Sequence, residues 1–173
     1  MRGGITPRWR TPGEEERVSG RATAIGLVLW IMGSLAAGWG GSAFMPGAWY
    51  ESLVKPAWTP PSVVFGPVWT ALYIMMGTAA WLVWRRAGFS GAAVVLGLFI
   101  AQLVLNTLWS WIFFGLRNPG AAFIEIIVLW VAILAVLVGF WRVRTAAGVL
   151  LLPYLAWVTF AAGLNMQIWR LNA

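Results

Sequence analysis

The sequence predicts an all-α membrane protein, a bundle of five transmembrane helices. Two observations lead there. Of 173 residues, 61% are hydrophobic and 10% charged, against ~45–50% and ~25% in soluble domains. The apolar residues also fall into five runs, about 22–45, 62–84, 92–115, 120–141 and 146–168, each bounded by charge, Pro or Gly. Each run is near the ~20 residues a helix needs to cross ~30 Å of hydrocarbon. Together they use nearly everything after residue 21, so no soluble domain is left over.

The segments can be taken in order. Residues 1–21 are polar and contain Pro7, Pro12 and Glu14-Glu15-Glu16, which reads as a disordered basic tail. A cleaved signal peptide is the rival reading for 1–45. The apolar stretch is too long for its core, and acidic residues precede it. The first helix carries Gly33, Ala37 and Gly41 at four-residue spacing, a face suited to close packing inside the bundle. The linker 46–61, from Pro46 to Pro61, has four prolines with Trp49, Tyr50, Lys55 and Trp58. Its prolines keep it from being helical throughout and stiffen it. Connecting loops are ordinarily short and polar, so this one reads better as a lid. The alternative is that its rings anchor at the headgroups. Thr59-Pro60 looks like the cap and first-turn proline of the second helix.

Polar and aromatic residues then recur on single helix faces. Phe65, Trp69, Tyr73 and Met76 share one in the second helix. Gln102, Asn106, Trp109 and Phe113 share one in the third, and Trp157, Ala161, Leu164 and Asn165 one in the fifth. Because successive helices alternate in direction, all three faces lie in the half of the membrane nearest the linker. Amides in hydrocarbon are costly unless they turn inward and find partners. Convergence at one depth suggests an aromatic-lined pocket beneath the linker, suited to a flat apolar ligand with a few polar edges. The alternative is that the amides bridge helices and the rings only pack. The third helix also has Gly97 and Ala101, a possible homodimer seam.

Glu125 is the one acidic residue inside a span. The plain reading is a snorkelled pair with Arg117, about two turns away. The others are pairing with a third-helix amide, or protonation. Trp81, Trp84, Trp141 and Trp169 sit at span ends and read as interfacial belts, whereas Trp30 and Trp130 lie deep.

Charge sets orientation. Nine of the twelve basic residues fall in the tail, the 85–91 loop (Arg85, Arg86) and the 142–145 loop (Arg142, Arg144). Lys55, Arg117 and Arg170 lie opposite. In a bacterial inner membrane the positive-inside rule then puts the N-terminus in the cytoplasm and the C-terminus outside. The net charge of +7 reports topology. Its division among short loops argues against nucleic-acid binding. With no Cys there is no thiolate nucleophile or Cys-ligated metal. With no His the commonest general base and metal ligand is missing. No metal site is expected.

Three blocks carry a resemblance. The linker and second helix read Trp49-Tyr50-x4-Lys55-Pro56-x-Trp58-x-Pro60-Pro61-x3-Phe65-Gly66-Pro67-Val68-Trp69-Thr70-x-Leu72-Tyr73. The third helix reads Gln102-Leu103-x2-Asn106-x2-Trp109-x3-Phe113-Phe114-Gly115. The fifth reads Pro153-Tyr154-Leu155-x-Trp157-x7-Asn165. Over roughly 22–172 the chain resembles the TspO/translocator protein family, the tryptophan-rich sensory proteins also called peripheral benzodiazepine receptors. The resemblance implies a five-helix bundle, often dimeric, that binds porphyrins such as protoporphyrin IX and synthetic benzodiazepine-type ligands, with no required cofactor. Carried over by position, the ligand-facing candidates are Trp49, Tyr50, Trp58, Asn106, Trp109, Trp157, Ala161 and Leu164. Phe65 and Trp69 join them from the second-helix face. Some bacterial members degrade porphyrin under light using two tryptophans, matched here by Trp49 and Trp157. The animal members' sterol motif is broken at Met166. A reversed version at Arg86, Phe89 and Val94 is a weak pattern, so sterol binding is not expected. Ala121 replaces a further pocket Trp of animal members.

The leading expectation is therefore a membrane tetrapyrrole-binding sensor or transporter. A light-dependent porphyrin-degrading enzyme and a regulatory membrane partner are the alternatives. The absence of His favours a metal-free porphyrin over imidazole-ligated haem.

Overall fold

The computed structural model describes residues 12–42, 44 and 47–173, with the side chains of 12–22 and 42 excluded. Residues 1–11 of the expected tail, with Pro7, and Pro46 of the linker lie outside the described residues. Helix α1 covers Pro12–Ser42, α2 Ala48–Ser52, α3 Ser62–Gly91, α4 Ala93–Ser110, α5 Pro119–Val143 and α6 Thr145–Asn172. A π-helical turn, Trp111–Gly115, continues α4. Five of these stretches are long and apolar enough to cross a membrane: Thr23–Gly41, Ser62–Gly91, Ala93–Gly115, Pro119–Val143 and Thr145–Asn172. The protein is an integral membrane protein with five spanning helices, as its composition predicts.

The helices run further than the apolar runs. α1 begins at Pro12, where a first-turn proline followed by an acidic run suits a helix start. The 85–91 stretch, expected as a loop, is helical except at Gly88, whose φ of 67° and ψ of −178° break α3. Only glycine adopts that backbone at little cost. The basic residues do not end the helix, and one of them finds an aromatic partner. The Arg85 guanidinium lies 4.6 Å from the Trp81 ring. The 142–145 loop reduces to Arg144, the single extended residue between α5 and α6.

The expected Thr59-Pro60 cap is not formed. α3 starts at Ser62 behind Pro61 with no side-chain cap. Thr59 instead closes a turn of the linker, donating to the Pro56 carbonyl from Oγ1 at 2.7 Å and from its N–H at 3.0 Å. A side-chain cap is formed at α5. There Asn118 Oδ1 accepts the Ala121 N–H at 3.0 Å, with Pro119 opening the first turn.

The five spans form a closed ring. α1 lies against α3 and α4, α4 against α5, α5 against α6, and α6 against α3. In lipid, small residues let helices approach, and they bring α1 close to α3. A Cβ on Gly77 would stand 2.6 Å from the Ile31 Cα, and Gly38 meets the Tyr73 ring. Gly33, expected inside, faces outward with nothing within 4 Å of its Cβ position, and Gly41 sits beside Ser110. A period of four marks a face without saying which neighbour it meets. Gly97 and Ala101 are exposed on the outer side of α4.

The terminal tryptophans are more than belts. Trp81 Nε1 donates to the Thr23 carbonyl at 2.9 Å, and Trp141 and Trp169 pack over Gly148 and Gly120. Of the two deep rings, Trp30 stands edge-on to Phe99 at 6.0 Å, and Trp130 Nε1 donates to Thr159 Oγ1 at 2.8 Å.

Candidate functional site

At the linker end the ring encloses a cavity of about 930 Å³. Its apolar walls come from every span. Leu35, Gly38, Gly41 and Phe44 belong to α1 and the residues after it. Phe65, Trp69 and Tyr73 come from α3, and Asn106, Trp109, Phe113 and Phe114 from α4 and its π turn. Ile126 and Leu129 come from α5, and Trp157, Ala161 and Leu164 from α6. Tyr50 and Lys55 bring the linker to the mouth.

The π turn explains how α4 places consecutive rings here. Leu116 N–H donates to the Trp111 carbonyl at 2.9 Å, five residues back. The wider turn brings both Phe113 and Phe114 to the cavity, their centroids 4.8 Å apart, with Trp109 stacked on Phe113 at 5.1 Å. Trp109 is fixed from behind. Its Nε1 donates to Asn165 Oδ1 at 3.0 Å, and Asn165 Nδ2 donates to the Pro119 carbonyl at 2.8 Å. One amide thus ties α4, α5 and α6 together at the depth of the cavity.

Beneath the rings lies a buried polar chain. Tyr73 donates its hydroxyl to Asn106 Oδ1. Asn106 Nδ2 donates to the Tyr154 hydroxyl at 3.3 Å, and that hydroxyl donates to Gln102 Oε1 at 2.8 Å. Gln102 Nε2 reaches Met76 Sδ at 4.0 Å. Amides buried in the membrane need such partners, so Asn106 presents a fixed amide edge at the cavity floor.

The mouth is built by the linker. Tyr50 packs edge-on to Phe113 and Phe114 at 6.2 and 5.5 Å. Burial pushes its hydroxyl pKa above the ordinary tyrosine value of 10.0, so it stays a neutral donor. Lys55 Nζ lies 4.6 Å from the Tyr50 ring centroid and donates to the Glu51 and Leu53 carbonyls at 3.2 and 3.3 Å.

Among the residues the sequence singled out, Tyr50, Phe65, Trp69, Asn106, Trp109, Trp157, Ala161 and Leu164 line the cavity. Trp49 and Trp58 stand outside its lining. On the short helix α2, Tyr50 turns to the cavity, and Trp49, one position earlier, packs edge-on to Phe113 at 5.9 Å. Trp58 is 51% exposed and rests on Phe160 at 5.6 Å. Trp157 contacts Phe65 at 5.8 Å, and its Nε1 is buried with no hydrogen-bond partner.

Glu125 does not pair with Arg117. It is 8% exposed, both its oxygens lack a hydrogen-bond partner, and Arg117 is exposed. Its neighbour Ile126 faces the cavity, while Glu125 lies outside the lining. No third-helix amide reaches it either, because Gln102 and Asn106 are engaged with the tyrosines.

Sequence reasoning missed the walls from α1 and α5, which offer only the rings of Trp39 and Phe44 and no polar side chain. It also missed Asn172, which bonds the linker from the last turn of α6. A lone Asn near a helix end gives no sign of a partner more than a hundred residues away.

Comparisons with known proteins agree with this architecture. The profile of the TspO/MBR family matches residues 22–170. The chain is 45% identical over 153 residues to the tryptophan-rich protein TspO of Chlorobaculum tepidum, covering 84% of this chain and 95% of that protein. It is 40% identical over 147 residues to protein CrtK of Rhodobacter capsulatus, covering 84% and 92%. It is 45% identical over 137 residues to the human translocator protein, covering 76% and 81%.

Proposed function

The chain belongs to the TspO/MBR family, and from that premise we propose that its cavity binds a flat tetrapyrrole of the protoporphyrin IX type, as part of a membrane sensor or transporter. The observation that carries this reading is the cavity itself. Its ~930 Å³ lies within the ~300–1,000 Å³ usual for ligand sites. Its walls are aromatic faces, with the fixed Asn106 amide at the floor and Lys55 at the mouth. Flat apolar rings stack well on such walls. The unpartnered Trp157 Nε1 is a donor that a polar edge of the ligand would satisfy.

The sequence contains no His, so the reading involves no imidazole–iron bond, and a metal-free porphyrin suits the site best. The relatives' names, sensory and translocator protein, accord with binding rather than turnover. A degradation reaction relying on Trp49 and Trp157 is the lesser reading, since only Trp157 lines the cavity. A homodimer through the outward-facing Gly97 and Ala101 is part of the same proposal.

The test is titration of the purified protein with protoporphyrin IX, in darkness and in light. Saturable quenching of Trp fluorescence without bleaching is expected. Ala161→Phe should intrude on the cavity and weaken binding at least about tenfold, with the helical spectrum retained; tenfold is ~1.4 kcal/mol. Absence of saturable quenching in the unmodified protein would falsify the reading. Light-dependent bleaching that is lost in Trp157→Phe would move it to the enzyme class.

A further inference from the structure

Besides the ring contacts of Trp49, Tyr50 and Trp58, the linker is hydrogen-bonded to one side chain from the last turn of α6. Asn172 Oδ1 accepts the Val54 N–H at 3.0 Å, and Asn172 Nδ2 donates to the Val54 carbonyl at 2.9 Å. Nδ2 also donates to the Ile168 carbonyl at 2.8 Å within its own helix. A primary amide offers two donors and an acceptor, and all three are engaged. The Ile168 bond orients the amide, and the remaining edge grips both backbone groups of Val54, much as a neighbouring strand would.

The position of this grip matters. Val54 is 57% exposed, so little apolar packing holds it down. The residue after it, Lys55, lines the cavity, and so does Ile168. Lys55 Nζ bonds the Glu51 and Leu53 carbonyls, which makes residues 51–55 one compact unit. Holding Val54 therefore also holds Lys55 and the adjoining Tyr50 in place.

We propose that Asn172 is a positioning residue that latches the linker across the cavity mouth and sets how fast a ligand passes. The proposal rests on the tetrapyrrole-binding reading above. The latch joins protein to protein and no ligand atom takes part, so it weighs equally on loaded and unloaded protein. Its loss speeds uptake and release together and leaves affinity nearly unchanged. A residue that merely finished α6 would lower the melting temperature and leave both rates alone.

The test compares Asn172→Ala with the unmodified chain in detergent micelles. One arm follows hydrogen exchange at the Val54 amide without ligand. The other follows protoporphyrin IX association and dissociation by stopped-flow Trp fluorescence. Two ordinary hydrogen bonds at an exposed site are together worth about tenfold. Val54 exchange and both rate constants should rise about tenfold, with Kd within about twofold. Unchanged Val54 exchange overturns the latch, as does faster exchange with unchanged rates. If the unmodified chain shows no saturable quenching, it is the binding reading that fails, and Val54 exchange alone then decides whether the latch exists.

Discussion

Single residues show how far a helical face can be read. The spacing of Gln102, Asn106 and Trp109 put them on one inward face, and the structure places Gln102 and Asn106 in the buried chain with Trp109 on the cavity wall. Spacing could not supply their partners, because Tyr73, Tyr154 and Asn165 reach them from other helices. Glu125 shows the opposite outcome. Its nearness in sequence to Arg117 suggested an ion pair, yet Arg117 adopts a φ of 54° in the turn before α5 and the carboxyl group stays unpartnered inside. The buried chain also makes a graded prediction. Tyr154 is both acceptor from Asn106 and donor to Gln102, whereas Tyr73 is only a donor to Asn106. An unsatisfied buried polar group costs ~1–3 kcal/mol. Tyr73→Phe should therefore lose about 1 kcal/mol and Tyr154→Phe about twice that, with ring packing kept in both. Thermal unfolding in one detergent checks the order, and a Tyr73→Phe loss equal to or larger than that of Tyr154→Phe refutes the assigned roles.

Elements were legible wherever length and hydropathy decide. All five spans stand where apolar runs of about 20 residues stand. Their ends were less legible, since interfacial Arg and Trp let a helix continue past its apolar core. The π turn left no trace in the pattern, because one extra residue in a turn keeps the composition unchanged. Close approach of α1 and α3 was equally hidden. Gly33 fitted the expected four-residue spacing, but Gly77 and Gly38 make the crossing. Gly77→Val puts its Cβ 2.6 Å from the Ile31 Cα, where a backbone cannot give way as a side chain can. The two helices must separate, at ~1–3 kcal/mol for overpacking. Gly33→Ala enters open space and should stay within ~0.5 kcal/mol. Melting temperatures of the two variants, measured side by side, decide this. Equal shifts would mean that the crossing is not where α1 and α3 are closest.

At the scale of the whole molecule, the two ends of the bundle differ, and both the charge distribution and the depth of the aromatic faces revealed it. Arg85, Arg86, Arg142 and Arg144 cluster at one end, and the linker, the cavity mouth and Asn172 lie at the other. The closed order of the ring was not readable, because each helix is apolar on several sides and nothing in a single span names its neighbour. The charge asymmetry does carry a prediction about which side the cavity opens to. Basic loops stay in the cytoplasm of an energised bacterial membrane, so the cavity mouth should face away from it. The chain contains no Cys, which allows single reporters on a clean background. Ala57 and Ser90 are both exposed, one in the linker and one at the basic end. Ala57→Cys, expressed in the inner membrane of a bacterial host, should react with a membrane-impermeant maleimide added to intact cells. Ser90→Cys should react only after the cells are opened. The reverse pattern would place the cavity mouth in the cytoplasm and overturn the orientation. Equal labelling at both sites in intact cells would mean that the two ends insert without preference, and that the distribution of arginine does not govern topology in this protein.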